Sequence, residues 1–212
     1  MPAKKIRNII FDLGGVILNI NPQLTVNAFR KLGWNDFYKE RQKSLNKELF
    51  YSFEGGYLSP ELFRKSVRQR IKNDISDADI DLAWTAMILD IPAERVRYLE
   101  ELKKNYRIFL LSNTNEIHKI KFHRIFEEDF GYSFYGLFER NFYSYKMGLR
   151  KPDPQIYIQA LNEAGIIAGE TLFIDDMDEN IQAAQTLGIK TLLIQPETLI
   201  ENLTRYLEDN QQ

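Results

Sequence analysis

Thr171-Leu172-Phe173-Ile174-Asp175-Asp176-Met177-Asp178-Glu179-Asn180 decides the fold: an apolar run of strand length ends in paired carboxylates, and a helix-like stretch over residues 180–187 follows. A short apolar run bounded by turns or polar residues has the form of a parallel strand buried on both faces. Residues 6–11, 107–111 and 190–194 share that form. Helical spacing separates the later runs. Ile156, Tyr157, Ala160 and Leu161 recur at helical intervals within 154–164, with Gly165 placed as a C-terminal cap and Gly188 placed likewise after 180–187. Strand, helix and strand in repetition predict an α/β chain built on a parallel sheet.

The first crossover breaks this rhythm. About 95 residues lie between Ile10 and Phe109, where a strand-helix-strand unit takes roughly 30. Within them, 23–32, 59–71 and 77–87 have helical patterning, and Ser59-Pro60 supplies an N-cap followed by proline at the first helical position. An inserted helical subdomain over 20–90 is expected, with core residues Trp34, Tyr38 and Trp84, and 92–105 is expected as the helix leading back to the sheet. The sheet-forming unit is then 1–19 together with 91–212. The tail from Glu208 onward reads as disordered.

A chain of 212 residues can bury a full core. A formal charge of -2 with 27% charged residues gives no basic field for nucleic acid. No apolar run approaches the ~18 residues that span a bilayer, and the Met-Pro-Ala-Lys-Lys-Ile start lacks a signal-peptide core, so a soluble, cytoplasmic protein without membrane partners is expected. With no cysteine, thiolate chemistry and disulfides are excluded, and any metal must use oxygen or the two histidines.

Four strand ends carry polar chemistry. Ile9-Ile10-Phe11-Asp12-Leu13-Gly14-Gly15 delivers an aspartate into a glycine turn, and Phe109-Leu110-Leu111-Ser112-Asn113-Thr114-Asn115 ends in a hydroxyl. Lys151-Pro152-Asp153-Pro154 offers a lone lysine ahead of Asp175-Asp176. In an open parallel sheet, ligands bind beyond the carboxyl ends of the strands, where Asp12, Ser112 and the aspartate pair fall. Carboxylates ~4 Å apart repel by about 4 kcal/mol per pair at an effective dielectric of ~20, which is too much to leave unbalanced in a marginally stable fold. A divalent cation relieves it. All-oxygen ligands favour Mg²⁺, which keeps several waters and also holds substrate phosphate, and Lys151 adds a positive point charge. Singly, each residue has a plainer use: an aspartate after a strand serves as a turn residue, Ser112 as a helix cap, Lys151 as a loop lysine. Their joint occurrence carries the reading.

Taken in order, these four segments resemble the motifs of the haloacid dehalogenase (HAD) superfamily over nearly the whole chain. The resemblance implies a Rossmann-like core, a helical cap inserted between the first two motifs, and hydrolysis of small phosphorylated metabolites. It further implies that Asp12 is the nucleophile that becomes an aspartyl-phosphate. Ser112 and the Asn113 backbone N–H would hold the phosphoryl group, and Lys151 would neutralise phosphate and Asp12. Asp12, Asp176 and the Gly14 carbonyl would bind Mg²⁺ directly, and Asp175 through water.

One position departs from the family's phosphatases. They carry a second aspartate two residues after the nucleophile as general acid and base, and here that position is Gly14. General acid–base help is worth ~10²–10⁴-fold, so a substrate with a good leaving group is expected. The resemblance is to the branch that includes glucose-1-phosphate phosphatases, whose anomeric leaving oxygen fits that need. Two other readings are consistent with Gly14: a non-catalytic relative that binds a phosphometabolite, and a metal-independent 2-haloacid dehalogenase, which would have no use for the Asp175-Asp176 pair. Phe53-Glu54-Gly55-Gly56-Tyr57 resembles the family's substrate-facing cap loop, with Glu54 expected to meet a substrate hydroxyl or supply a proton. Asn115 and His118 are expected near the substrate as well. The aromatic run 122–145 is read as packing, with a protein interface as the alternative. Oligomeric state has no sequence signal.

Overall fold

The computed structural model describes residues 5–37, 44–71 and 74–210. Five parallel strands form one sheet in the order β3-β2-β1-β4-β5, from β1 (Asn8–Phe11), β2 (Arg107–Ser112), β3 (Arg140–Tyr143), β4 (Thr171–Asp175) and β5 (Lys190–Leu193). Register is set residue by residue: Ile9 lies beside Ile108 and Leu172, and Phe11 beside Leu110 and Ile174. Alternate side chains serve opposite faces. Ile9, Phe11, Leu110, Leu172 and Ile174 pack under α5 (Ala93–Leu102), α6 (Glu116–Phe130) and α10 (Leu199–Asp209). Ile10, Phe109, Leu111 and Phe173 pack under α8 (Pro154–Ala164) and α9 (Asp178–Gln185). This is the expected Rossmann-like α/β core, covered on both faces.

Between β1 and α5 the chain forms α1 (Pro22–Leu32), α2 (Ser44–Glu54), α3 (Pro60–Arg68) and α4 (Asp77–Thr85). Local chemistry starts and stops these helices. Asn21 caps α1 and Gly33 closes it at φ 108, Ser59 with Pro60 opens α3, and Ser76 with Asp79 forms a capping box on α4. Their buried faces share an aromatic cluster in which Phe53 stacks on Phe63 at 4.3 Å and Phe50 on Trp84 at 5.4 Å. Where the chain leaves and re-enters the sheet unit, the main chain pairs with itself: Asn19 N–H donates to the Asp90 carbonyl at 2.9 Å and Asn21 N–H to that of Met87 at 2.8 Å.

Several expectations need correction. The sheet has a fifth strand, β3, inside the aromatic run, because Phe142 and Tyr143 are buried on opposite faces while Arg140 stays exposed. Phe122, Phe126, Phe134 and Phe138 of the same run are buried in the sheet core. β5 is an edge strand, only half buried, rather than a fully buried one. Glu208 and Asp209 are helical, because the Leu199, Leu203 and Leu207 stripe of α10 continues to the end of the element; residues 211–212, like Tyr38, lie outside the described residues. Glu54 ends α2 rather than sitting in a loop. Among the described residues no helix is long and apolar enough to cross a membrane.

His123 of α6 is buried, with Nε2 2.9 Å from the Tyr143 hydroxyl. Burial, aided by Lys119 and Lys146, pushes its pKa down to about 4 from 6.5. In this window the unfolded chain takes up a proton that the folded chain refuses, so stability is lost as pH falls from about 6.5 to about 4, by up to about 3 kcal/mol. Melting temperatures across that range should fall less steeply for His123→Gln than for the parent protein. Parallel curves would show that the histidine does not report its burial.

Candidate active site

β1 lies between β2 and β4, so the chain's crossovers run to opposite sides of it, and the cleft at this switch opens over the carboxyl ends of the three strands. A cavity of about 250 Å³ occupies the cleft. Asp12, Gly14, Ser112, Asn113, Lys151, Asp175, Asp176, Glu54 and His118 all line it. Residues from 12 to 180 are thus brought to one place by the ends of β1, β2 and β4, the segment after β3 that carries Lys151, and the helices that carry Glu54 and His118.

Local sequence sets each position. Directly after β1, the turn closes as Ile17 and Leu18 N–H groups donate to the Leu13 carbonyl at 2.9 and 2.8 Å. Gly15 has φ +81, and a Cβ there would stand 2.3 Å from Asp176 Oδ2. Only glycine lets the first loop pass so near the aspartate after β4. Lys151 precedes α8, which starts on Pro154 with the Asp153 carboxylate accepting from Gln155 N–H.

At the cavity floor, Lys151 Nζ donates to Asp12 Oδ1 and to Asp175 Oδ2, each at 2.6 Å. The Lys151 side chain is 1% exposed and that of Asp175 0%. Asp175 accepts four hydrogen bonds: one from Lys151, two from Asn180 Nδ2 at 2.9 and 3.0 Å, and one from Met177 N–H at 2.8 Å. These donors hold both Asp175 oxygens in place at the cavity floor. Tyr157 fixes Asn180 in turn, its hydroxyl donating to the Asn180 carbonyl at 3.0 Å.

Negative charge exceeds positive here. Burial, together with Asp175 and Asp176, pushes the Asp12 carboxyl up to about 7 against the pull of Lys151. Burial and then Asp175 likewise raise Asp176. Burial opposes the charge of Lys151, but Asp12 and Asp175 outweigh it and hold the ammonium above the ordinary lysine range. Such a site is short of one cation.

In the upper part of the cavity, Glu54 of α2 meets Arg150. Arg150 Nε and Nη2 donate to Glu54 Oε2 at 3.2 and 2.9 Å, and the guanidinium lies 4.1 Å from the Tyr51 ring centroid. The Ser144 hydroxyl lies 2.6 Å from the Glu54 carbonyl oxygen. His118 lines the cavity with Nε2 3.0 Å from the Trp84 carbonyl and its ring stacked on that indole. Asn115 does not line it. Fully buried, its Oδ1 caps α6 through His118 N–H at 3.0 Å and accepts from Trp84 Nε1 at 3.2 Å, so the expectation of substrate contact gives way to a structural role. Sequence reasoning missed Arg150 and the part played by Asn180; adjacency to Lys151 was the one signal for the former.

The family described as haloacid dehalogenase-like hydrolase matches residues 6–188. The chain is similar to a D-ribitol-5-phosphate phosphatase of Bacteroides thetaiotaomicron, 32% identical over 91% of this chain and 92% of that one. It is also similar to a sesquiterpene phosphatase of Aspergillus oryzae, 30% identical over 85% of each. Among solved structures, a HAD family enzyme of B. thetaiotaomicron in complex with magnesium and inorganic phosphate superposes with a TM-score of 0.82 at 33% identity, over 90% of this chain and 95% of that one. With the family matched from β1 through α9, inserted helices included, the chain belongs to the haloacid dehalogenase-like hydrolases.

Proposed function

We propose that this chain is a Mg²⁺-dependent phosphatase that hydrolyses small phosphate monoesters through an aspartyl-phosphate on Asp12. The observation that carries the reading is Lys151 held at 2.6 Å from both Asp12 and Asp175 on the floor of the cavity at the sheet's switch point. The relatives' phosphatase activities and the magnesium and phosphate bound by a structural neighbour support it.

The residues fit the metal. Asp12, Asp176 and the Gly14 carbonyl would hold it, an all-oxygen set in a cavity where three aspartates face one lysine. When bound, Mg²⁺ supplies charge neutralisation for the transferring phosphoryl group.

Asp12 attacks phosphorus in line with the ester oxygen; the P–O bond to the alcohol breaks and the alkoxide takes a proton from water. Ser112 and the Asn113 N–H hold the phosphoryl oxygens, and Lys151 balances their charge. Water then attacks phosphorus, releasing inorganic phosphate and free Asp12. Position 14 contributes a main-chain group and no proton, so the reading favours a leaving group that needs little acid help. Glu54, ion-paired to Arg150, serves as an acceptor for a substrate hydroxyl. The helices between β1 and α5 act as the cap. Within a cavity of about 250 Å³, the fitting substrates are small hydroxylated esters, sugar or alditol phosphates such as glucose-1-phosphate.

The test is phosphate release from glucose-1-phosphate, ribitol-5-phosphate, glycerol phosphate, a prenyl phosphate and p-nitrophenyl phosphate, with Mg²⁺ or with chelator. Mg²⁺-dependent turnover is expected, faster on glucose-1-phosphate, whose anomeric oxygen leaves readily, than on glycerol phosphate. Turnover unaffected by chelator would refute the metal assignment, and preference for the prenyl ester would refute the substrate class.

A further inference from the structure

Lys151 lies between α7 (Ser144–Met147) and α8, outside every strand, so no ladder of the sheet holds it in place. Yet its ammonium meets two carboxylates at 2.6 Å each, in a site where the lysine side chain is 1% exposed. A four-carbon stem carries little intrinsic order, and its head can be aimed so closely only if its own main chain is fixed.

One side chain meets both peptide groups of Lys151. Asn113 Oδ1 accepts from Lys151 N–H at 2.8 Å, and Asn113 Nδ2 donates to the Lys151 carbonyl at 2.9 Å. The carboxamide thus closes a ring of two hydrogen bonds on one residue's peptide groups, as a neighbouring strand would. Asn113 directly follows β2, whose register against β1 and β3 is set along its length. The lysine therefore takes its position from the sheet through a carboxamide 38 residues away in sequence.

We propose that the Asn113 side chain is the positioning residue for Lys151, locking the lysine loop to the strand end that carries Ser112. Asn113 then has two separable parts, its main-chain N–H toward the phosphoryl group and its carboxamide toward the lysine; the first rests on the phosphatase reading and the second does not. The role is relayed, so its loss shows in turnover more than in substrate affinity. A displacement of about 1 Å at a reacting group costs on the order of 10²-fold.

Two measurements on Asn113→Ala test this. Hydrogen exchange at the Lys151 amide should speed up at least about tenfold while amides in β1 and β4 stay protected. kcat should fall about 10- to 100-fold with KM changed less than about threefold, and in a Lys151→Met background the same substitution should cost nothing further, since coupled residues are not additive. Asn113→Asp, which keeps the acceptor and loses the donor, should fall between parent and alanine variant in Lys151 exchange rate. Unchanged Lys151 exchange, or full additivity with Lys151→Met, overturns the assignment. If the parent protein releases no phosphate from any ester, the phosphatase reading fails, and the exchange measurement alone decides the clamp.

Discussion

Asp12→Asn will lower kcat by at least about 10⁴-fold, to the limit of detection, and leave the protein folded. The carboxamide matches the carboxylate in shape, so the turn after β1 and its packing against Asp176 are undisturbed. It cannot attack phosphorus to give an acyl phosphate, and the neighbouring carboxylates are committed elsewhere: Asp175 accepts from Lys151, Asn180 and Met177 N–H, and Asp176 belongs to the proposed metal site. Stability should hold because Lys151 keeps Asp175 as a buried partner. It should even rise slightly at neutral pH without metal, because burial makes ionised Asp12 unfavourable in the fold. Steady-state phosphate release and melting temperature, measured on the same preparations, separate these statements. A residual rate within a hundredfold of the parent protein would remove Asp12 from the role of nucleophile.

The residues that meet at the cavity were legible because each one interrupts a pattern. Asp12, Ser112 and Asp175 end apolar runs, and a sheet buried on both faces has few other places for polar side chains. Continuous apolar runs made the strands legible where both faces are buried. β3 was hidden because an edge strand with Arg140 and Asn141 at its start shows no continuous apolar run, and its two buried residues are lost among neighbouring aromatics. α10 carries a leucine stripe at helical spacing, and only its last residues were read. What sequence could not supply is partnership across distance. Arg150 and Glu54 are 96 residues apart, and Asn113 and Lys151 are 38 apart; such pairs depend on register and on where an inserted unit docks. Asn115 shows the converse, since a polar residue next to the site turned inward to cap a helix and hold an indole. Gly14 was plain in the sequence, and its consequence for the leaving group rests on chemistry rather than on fold.

Lys151→Met should lower kcat by about 10²–10³-fold, as expected for removing a charged group that faces the transferring phosphoryl. It should also destabilise the protein, by about 3–5 kcal/mol at pH 8, because breaking a buried ion pair from one side leaves the other charge uncompensated. Here two carboxylates are left, one fully buried and one nearly so. The pH dependence has a definite sign. Burial already raises the Asp12 carboxyl in the fold relative to the unfolded chain, and loss of the ammonium removes the pull that opposes it, so the folded form binds more protons and gains stability as pH falls. The deficit should therefore be largest above pH ~7 and shrink toward pH ~5. Lys151→Arg should not restore turnover, since a planar guanidinium cannot take the place of a point charge 2.6 Å from two carboxylates. Adding Asp175→Asn to Lys151→Met should return part of the stability and none of the turnover, because the neutral amide removes one orphaned charge without replacing the cation. Near-normal turnover in Lys151→Met would sink the assigned role, and equal stability at pH 8 would show that the two carboxylates do not depend on the lysine.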